Sequence, residues 1–321
     1  MSVKGCCFSA AFLVASACCT AQTVDAVAVG GGAAVESQAK PSGGIPPAGQ
    51  AGDPFWAAVA PRKECRAKLE VRSGSNMPFV EAEVNGVKCN LLLDTGATHT
   101  TFDLSFVKKN MPDAELVPVM LMADSNVEGA PRYMRVGSMK IGEAEFSDFG
   151  AMALDISHLH SSIGAKVDGI LGMSTLGRVP ILFSLGSAEM VFVPGKEVLD
   201  GFGPLIKRSL SDPMSILLPV ELGGHSFEIL VDSGSSMTFL SRDTGWPTTG
   251  EEANIPAVDI NGSVGIKPFV GEKGVLPVGG GIEITPLVVS EPMNRIGSNV
   301  LKAYDMLVAG RFVCFRPSKT R

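Results

Sequence analysis

The 321-residue sequence predicts an all-β fold of two pseudo-symmetric lobes, each bringing one carboxylate to the interface between them. Three observations predict it. Thirty-seven glycines and 21 prolines punctuate recurrent Val/Ile/Leu runs, and long amphipathic helical patterns are few. The stretch "FVEAEVNGVKCNLLLDTGATHTTF", Phe79 to Phe102, lies without a gap over "LLPVELGGHSFEILVDSGSSMTFL", Leu217 to Leu240. Downstream of each copy the chain repeats itself again, more loosely.

Composition sets the outer limits. With 45% hydrophobic residues the chain can bury one large core or two moderate ones. A net charge of −6 and the lack of any Lys/Arg cluster exclude nucleic acid as the main partner.

The first 21 residues, "MSVKGCCFSAAFLVASACCTA", combine an early cation, Lys4, with an apolar stretch from Cys6 to Cys19 and small residues suited to cleavage before Gln22. This reads as an export signal, too short for a comfortable transmembrane helix. "LVASAC" also resembles a bacterial lipoprotein box with Cys18 as the lipidated residue. Two locations therefore stand open, secreted or periplasmic, and membrane-anchored through Cys18. Residues 22–63 are rich in Ala, Gly, Pro and Ser without periodicity and read as a flexible linker. Gly30 to Gly32 lack the strand and helix that a nucleotide-binding turn requires.

The body divides into a lobe at 64–200 and a lobe at 201–321. In each, an alternating strand meets a turn, Asn85-Gly86 or Gly223-Gly224, returns as an apolar strand and ends on an acid, Asp94 or Asp232. A single D-[ST]-G triplet is a weak signal; two in register on matching strand–turn–strand frames are a strong one. Asp94 is followed by Thr95, Gly96, Ala97 and Thr98, and Asp232 by Ser233, Gly234, Ser235 and Ser236. The glycines let the backbone turn sharply and approach the acids. The later repeats are "VDGILGMSTLGRVPILFSLGSAEMVFVP", Val167 to Pro194, and "NRIGSNVLKAYDMLVAGRFVCFRP", Asn294 to Pro317. Each carries an apolar residue and glycine, a short segment ending in leucine, then strand, turn and strand.

These motifs, "LLLDTGAT", "ILVDSGSS", "DGILG" and the weaker "NRIGSNVL", resemble those of the aspartic proteases, and more closely the retropepsin-like families of exported bacterial proteins than the larger pepsins. The resemblance implies two β-barrel lobes whose D-[ST]-G turns meet at a pseudo-twofold axis. It implies an aspartic endopeptidase with Asp94 and Asp232 as catalytic dyad, a polypeptide substrate, and neither cofactor nor metal. It further implies that Thr95 and Ser233 hydrogen-bond across to the opposite turn. Because one chain supplies both acids, a monomer is expected. Arg295 departs from the pattern by standing where an apolar residue is expected, a change read as confined to the supporting loop and clear of the acids.

Two carboxylates within hydrogen-bond reach cannot both ionise, so at mildly acidic pH they share one proton. The ionised member takes a proton from water as it attacks a peptide carbonyl, and the protonated member donates to the carbonyl oxygen. One asymmetry bears on which is which. Ser235 carries a hydroxyl where Ala97 has a methyl, and a hydroxyl donated to a carboxylate favours its ionised form. Asp232 is therefore expected to be ionised and Asp94 to hold the proton.

A flap over the substrate is expected in "LMADSNVEGAPRYMRV", Leu121 to Val136, with its tip at Asp124, Ser125, Asn126, Val127, Glu128 and Gly129. Tyr133 is expected to be structural. His158 and His160 lack a third clustered ligand and read as a surface turn; His99 adjoins the first motif. Asn261 begins a glycosylation acceptor sequence if the source is a eukaryote that exports the protein. A third triplet, Asp243 to Gly245, has no apolar strand before it and reads as a loop. Outside the leader, Cys65, Cys89 and Cys314 leave room for at most one disulfide or for free buried thiols.

Two other functions fit parts of the pattern: a peptide-binding or cell-envelope interaction protein of the same fold without turnover, and a glycosidase. Intact motifs in both lobes disfavour the first. A glycosidase also pairs carboxylates but does not require matched hydroxyl-glycine turns.

Overall fold

The structure, a computed structural model, describes residues 60–73, 75–118, 130–195, 201–209, 214–253, 257–259, 262–264 and 267–318. The leader, Cys18, most of the linker, the flap tip Asp124 to Gly129 and Asn261 lie outside them.

Both copies of the long repeat fold as hairpins. Pro78–Val84 pairs with Val87–Leu93, and Leu217–Leu222 with His225–Val231. Both turns need left-handed backbone at two successive positions. Asn85 and Gly86 adopt φ of 48° and 82°, Gly223 and Gly224 of 56° and 87°, conformations open to Asn and Gly and matched to strand twist.

The rest of each lobe follows the same plan. In the first, Val87–Leu93 receives Gly169–Leu171 as a parallel neighbour, and Thr101–Asp103 pairs with Ala144–Leu154 in parallel and with Gly169–Leu171 antiparallel. In the second, Arg295–Ile296 takes the place of Gly169–Leu171, Phe239–Ser241 that of Thr101–Asp103, and Leu287–Val289 that of Ala144–Leu154. Two lobes with one strand plan are the architecture the internal repeat predicts.

The lobes differ in closure. Arg132–Ile141 and Ala144–Leu154, of 10 and 11 residues, are long enough for the former to return to Pro78–Val84, closing a six-stranded barrel. Their counterparts Phe269–Gly271 and Leu287–Val289 have three residues each, and the second sheet stays open among the described residues. At about 3.3 Å per residue, three residues cannot cross the lobe.

A third sheet joins the lobes. Its order is Cys65–Lys68, Glu189–Phe192, Ile181–Ser184, Tyr304–Ala309, Phe312–Pro317, Ile206–Lys207, three strands from each half with the junction in the middle. The core is continuous through it: Val80, Phe146 and Phe192 of the first half belong to one buried cluster with Val220, Met306 and Phe315 of the second. At the junction Asp305 is buried and accepts hydrogen bonds from Ser184 Oγ at 2.6 Å, Ser318 Oγ at 2.7 Å and Arg316 Nε at 2.9 Å.

Several local expectations resolve here. Cys65, Cys89 and Cys314 are free buried thiols, and burial pushes Cys89 up to about 12. His158 and His160 begin a short helix, His158–Ile163, rather than a surface turn, and His160 Nε2 lies 2.8 Å from the Val167 carbonyl oxygen. Asp243 lies in the one-turn helix Arg242–Thr244, which follows the buried strand Phe239–Ser241 directly and which Gly245 ends with φ 71°, so the third triplet is a helical turn with an apolar strand before it rather than a loop. Tyr133 sits within Arg132–Ile141, opposite Val117 and Met152.

Candidate active site

Each acid sits one residue beyond a strand whose last residue is buried, Val87–Leu93 or His225–Val231, where the chain breaks into a turn. Its backbone is fixed by the neighbouring strand: Asp94 N donates to Leu171 O at 3.1 Å, and Asp232 N to Ile296 O at 3.0 Å. The supporting loops then thread through the turns. Met173 N donates to Ala97 O at 2.8 Å and Ser174 N to Thr98 O at 2.8 Å; Ser298 N donates to Ser235 O at 2.7 Å. Thr100 and Thr238 play equivalent parts, their hydroxyls accepting from Gly172 N at 3.1 Å and Gly297 N at 3.0 Å. Neither supporting glycine has room for a side chain. A Cβ on Gly172 would lie 2.4 Å from His99 O, and one on Gly297 2.2 Å from Met237 O.

The turns meet face to face. Thr95 Oγ1 donates to Val231 O at 2.7 Å and accepts from Ser233 N at 3.0 Å; Ser233 Oγ donates to Leu93 O at 2.8 Å and accepts from Thr95 N at 3.0 Å. All four bonds cross between lobes, and both hydroxyls are buried, so each donates and accepts without water.

This lock sets the two acids side by side. The two carboxyl groups are close enough that each acts on the other's proton affinity. Each packs into the space that the opposing glycine leaves: a Cβ on Gly234 would lie 2.3 Å from Asp94 Cγ, and one on Gly96 2.6 Å from Asp232 Cγ. Neither glycine has a positive φ, so the requirement here is space rather than backbone freedom. Asp94 Oδ1 accepts from Gly96 N at 2.8 Å and Ala97 N at 3.1 Å. Asp94 Oδ2 and Asp232 Oδ1 are buried without a donor from other residues, one oxygen from each acid.

Both acids are 0% exposed, and burial pushes both carboxyls upward because it disfavours the charged form. Asp94 is driven well above the usual carboxylate range by burial and then by the Asp232 charge, against the opposing pull of the Gly96 and Ala97 N–H groups. The rise at Asp232 is held back by the Arg295 charge and by hydrogen bonds from Asp94 and Arg295. Arg295 Nη1 donates to Asp232 Oδ2 at 2.8 Å from a side chain only 11% exposed.

Two expectations about this site are corrected. Arg295 does not stay clear of the acids; it binds one of them. Ser235 Oγ donates to Met237 O at 2.7 Å, so its hydroxyl closes its own turn instead of supporting the Asp232 carboxylate. The asymmetry between the acids has its origin in Arg295. The sequence signalled this residue by breaking an apolar pattern, but its reach depends on side-chain length and direction. Of the other named residues, Thr98 Oγ1 lies 2.9 Å from His99 Nδ1, and Ser236 is buried in the second turn.

Comparison with known proteins follows the same lines. Residues 80–175 match the family described as aspartyl protease, a span that includes Asp94, its turn and the supporting loop through Gly172. No curated protein matches the chain. Among solved structures the chain is similar to basic 7S globulin from soybean, at 10% identity and a TM-score of 0.49, over 81% of this chain and 96% of that one. Over residues 80–175 the chain is similar to the aspartyl protease family.

Proposed function

We propose that the protein is an aspartic endopeptidase that hydrolyses peptide bonds with Asp94 and Asp232. One observation carries this reading: two buried carboxyl groups, one from each lobe, each packed against the glycine of the opposing turn, sit in a frame locked by Thr95 and Ser233. Such a pair holds one proton over a wide pH range. The ionised acid draws a proton from the attacking water, and the protonated acid donates to the carbonyl oxygen of the substrate. As the tetrahedral centre collapses, the acid that took the proton from water gives it to the leaving amine, and a hydroxyl of the diol returns its proton to the other acid, which restores the singly protonated dyad. The reading extends to an exported protein that acts as a monomer on polypeptides. The test is cleavage of an unfolded protein substrate between pH 3 and 7, with pepstatin as inhibitor and Asp94→Asn as control. Pepstatin-sensitive cleavage lost in Asp94→Asn is expected, and no cleavage at any pH refutes the reading. Light scattering at assay concentration checks for the single-chain mass.

A second reading, a peptide-binding or envelope-interaction protein without turnover, is favoured by one observation. Asp232 Oδ2 is already occupied by Arg295, and neither acid is exposed. Peptide binding that survives Asp94→Asn, with no cleavage in the wild type, identifies this case.

A further inference from the structure

The two lobes supply an internal control for Arg295. Leu92 pairs with Ile170 in the first lobe as Leu230 pairs with Arg295 in the second, so Ile170 and Arg295 occupy equivalent backbone positions. Ile170 lies in an apolar cluster with Met77, Phe79, Leu92 and Val167. Arg295 instead carries its charge to Asp232. The backbone around the dyad is nearly twofold, yet the charge is confined to one side.

Arg295 has little other employment. Its Nε is buried without an acceptor, and its ion pair is with Asp232. The charged or titratable groups facing Asp232 are Asp94, from the first-lobe turn, and Arg295, from the strand alongside. The rest of its own turn, Ser233 to Ser236, offers hydroxyls and backbone only.

We infer that Arg295 is a positioning residue that assigns the dyad's negative charge to Asp232 and leaves the shared proton on Asp94. The two acids would otherwise compete for one proton on nearly equal terms. A guanidinium 2.8 Å from Asp232 Oδ2 breaks the tie by stabilising charge on that carboxylate. The site then holds Arg295 positive, Asp232 negative and Asp94 neutral, with no net charge in the buried space. In the catalytic reading, on which the kinetic part of this inference rests, Asp232 is the base towards water and Asp94 the acid towards the carbonyl.

The test reads protonation directly. Carboxyl carbons of Asp94 and Asp232 are followed by NMR from pH 3 to 9 in the wild type, Arg295→Ile and Arg295→Lys. Arg295→Ile installs the residue that the first lobe uses. In the wild type, Asp232 is expected to stay ionised over most of the range and Asp94 to titrate last. In Arg295→Ile the Asp232 transition moves up by ~1–3 pH units, the effect of an opposite charge at this range, and Arg295→Lys restores part of it. The acid limb of kcat/KM moves up in step. A proton found on Asp232 in the wild type, or an Asp232 transition unmoved in Arg295→Ile, overturns the inference, and the first of these needs no variant to fold. Displaced NMR transitions in a protein that cleaves nothing support the charge assignment and refute the protease reading. Cleavage with unmoved transitions does the reverse.

Discussion

Asp94 and Asp232 end matching strands, yet opposite responses to neutralisation are expected. Asp94 is a buried acid whose folded-state pKa lies above its unfolded value. Its stabilising contribution is complete below the unfolded pKa, about 3.9, and is lost as pH rises towards the folded value. Asparagine keeps the acceptor for Gly96 N and Ala97 N without that cost. Asp94→Asn should therefore abolish cleavage yet raise stability at pH 7, a gain that fades near pH 3. Asp232→Asn removes the partner of Arg295 and leaves a nearly buried guanidinium uncompensated, which should cost about 3 kcal/mol at pH 7. Thermal unfolding of both variants from pH 3 to 8 checks the contrast; equal shifts would mean that Arg295 does not discriminate between the acids.

At the scale of the element, the site is made of turns that touch and loops that brace them. Glycine is required where one turn receives the carboxylate of the other. In Gly234→Ala the new methyl falls within 2.3 Å of Asp94 Cγ, and the Thr95–Ser233 lock prevents the turns from separating to make room. We expect a loss of stability of about 2 kcal/mol from overpacking and a fall in kcat of about 10²-fold, the usual consequence of displacing a reacting group by ~1 Å. Stopped-time assays alongside chemical unfolding separate the two effects. These turns were largely legible in the sequence, because D-[ST]-G on a strand–turn–strand frame is a local pattern and occurs twice. The partner of the Ser235 hydroxyl was not legible in the same way, because its own turn and the carboxylate differ as acceptors only by side-chain rotation.

For the whole molecule, the sheet shared by the lobes is the controlling feature. Ile181–Ser184 from the first half pairs with Tyr304–Ala309 from the second, and Asp305 is satisfied by donors from both halves. Separating the halves exposes a central strand edge and opens a continuous core. Residues 60–200 expressed alone should therefore be insoluble or unfolded by circular dichroism, and co-expression with residues 201–321 should restore a soluble complex. A soluble, cooperatively folding first lobe would contradict this. The sequence marked two lobes but not this dependence, since Cys65–Lys68 and Ile206–Lys207 are short strands with no recognisable partner until the chain has folded.

The sequence by itself determined the duplicated strand plan, the identity of the two acids and the small residues around them. Each depends on a local rule: alternation for strands, glycine and asparagine for left-handed turns, space beside a carboxylate. Only the tertiary structure decided that the first barrel closes while the second sheet stays open among the described residues, that the halves share a sheet, and that Arg295 reaches Asp232. Those outcomes depend on strand reach and on side chains distant in sequence converging, and in a buried site a charge at 2.8 Å outweighs a neighbouring hydroxyl.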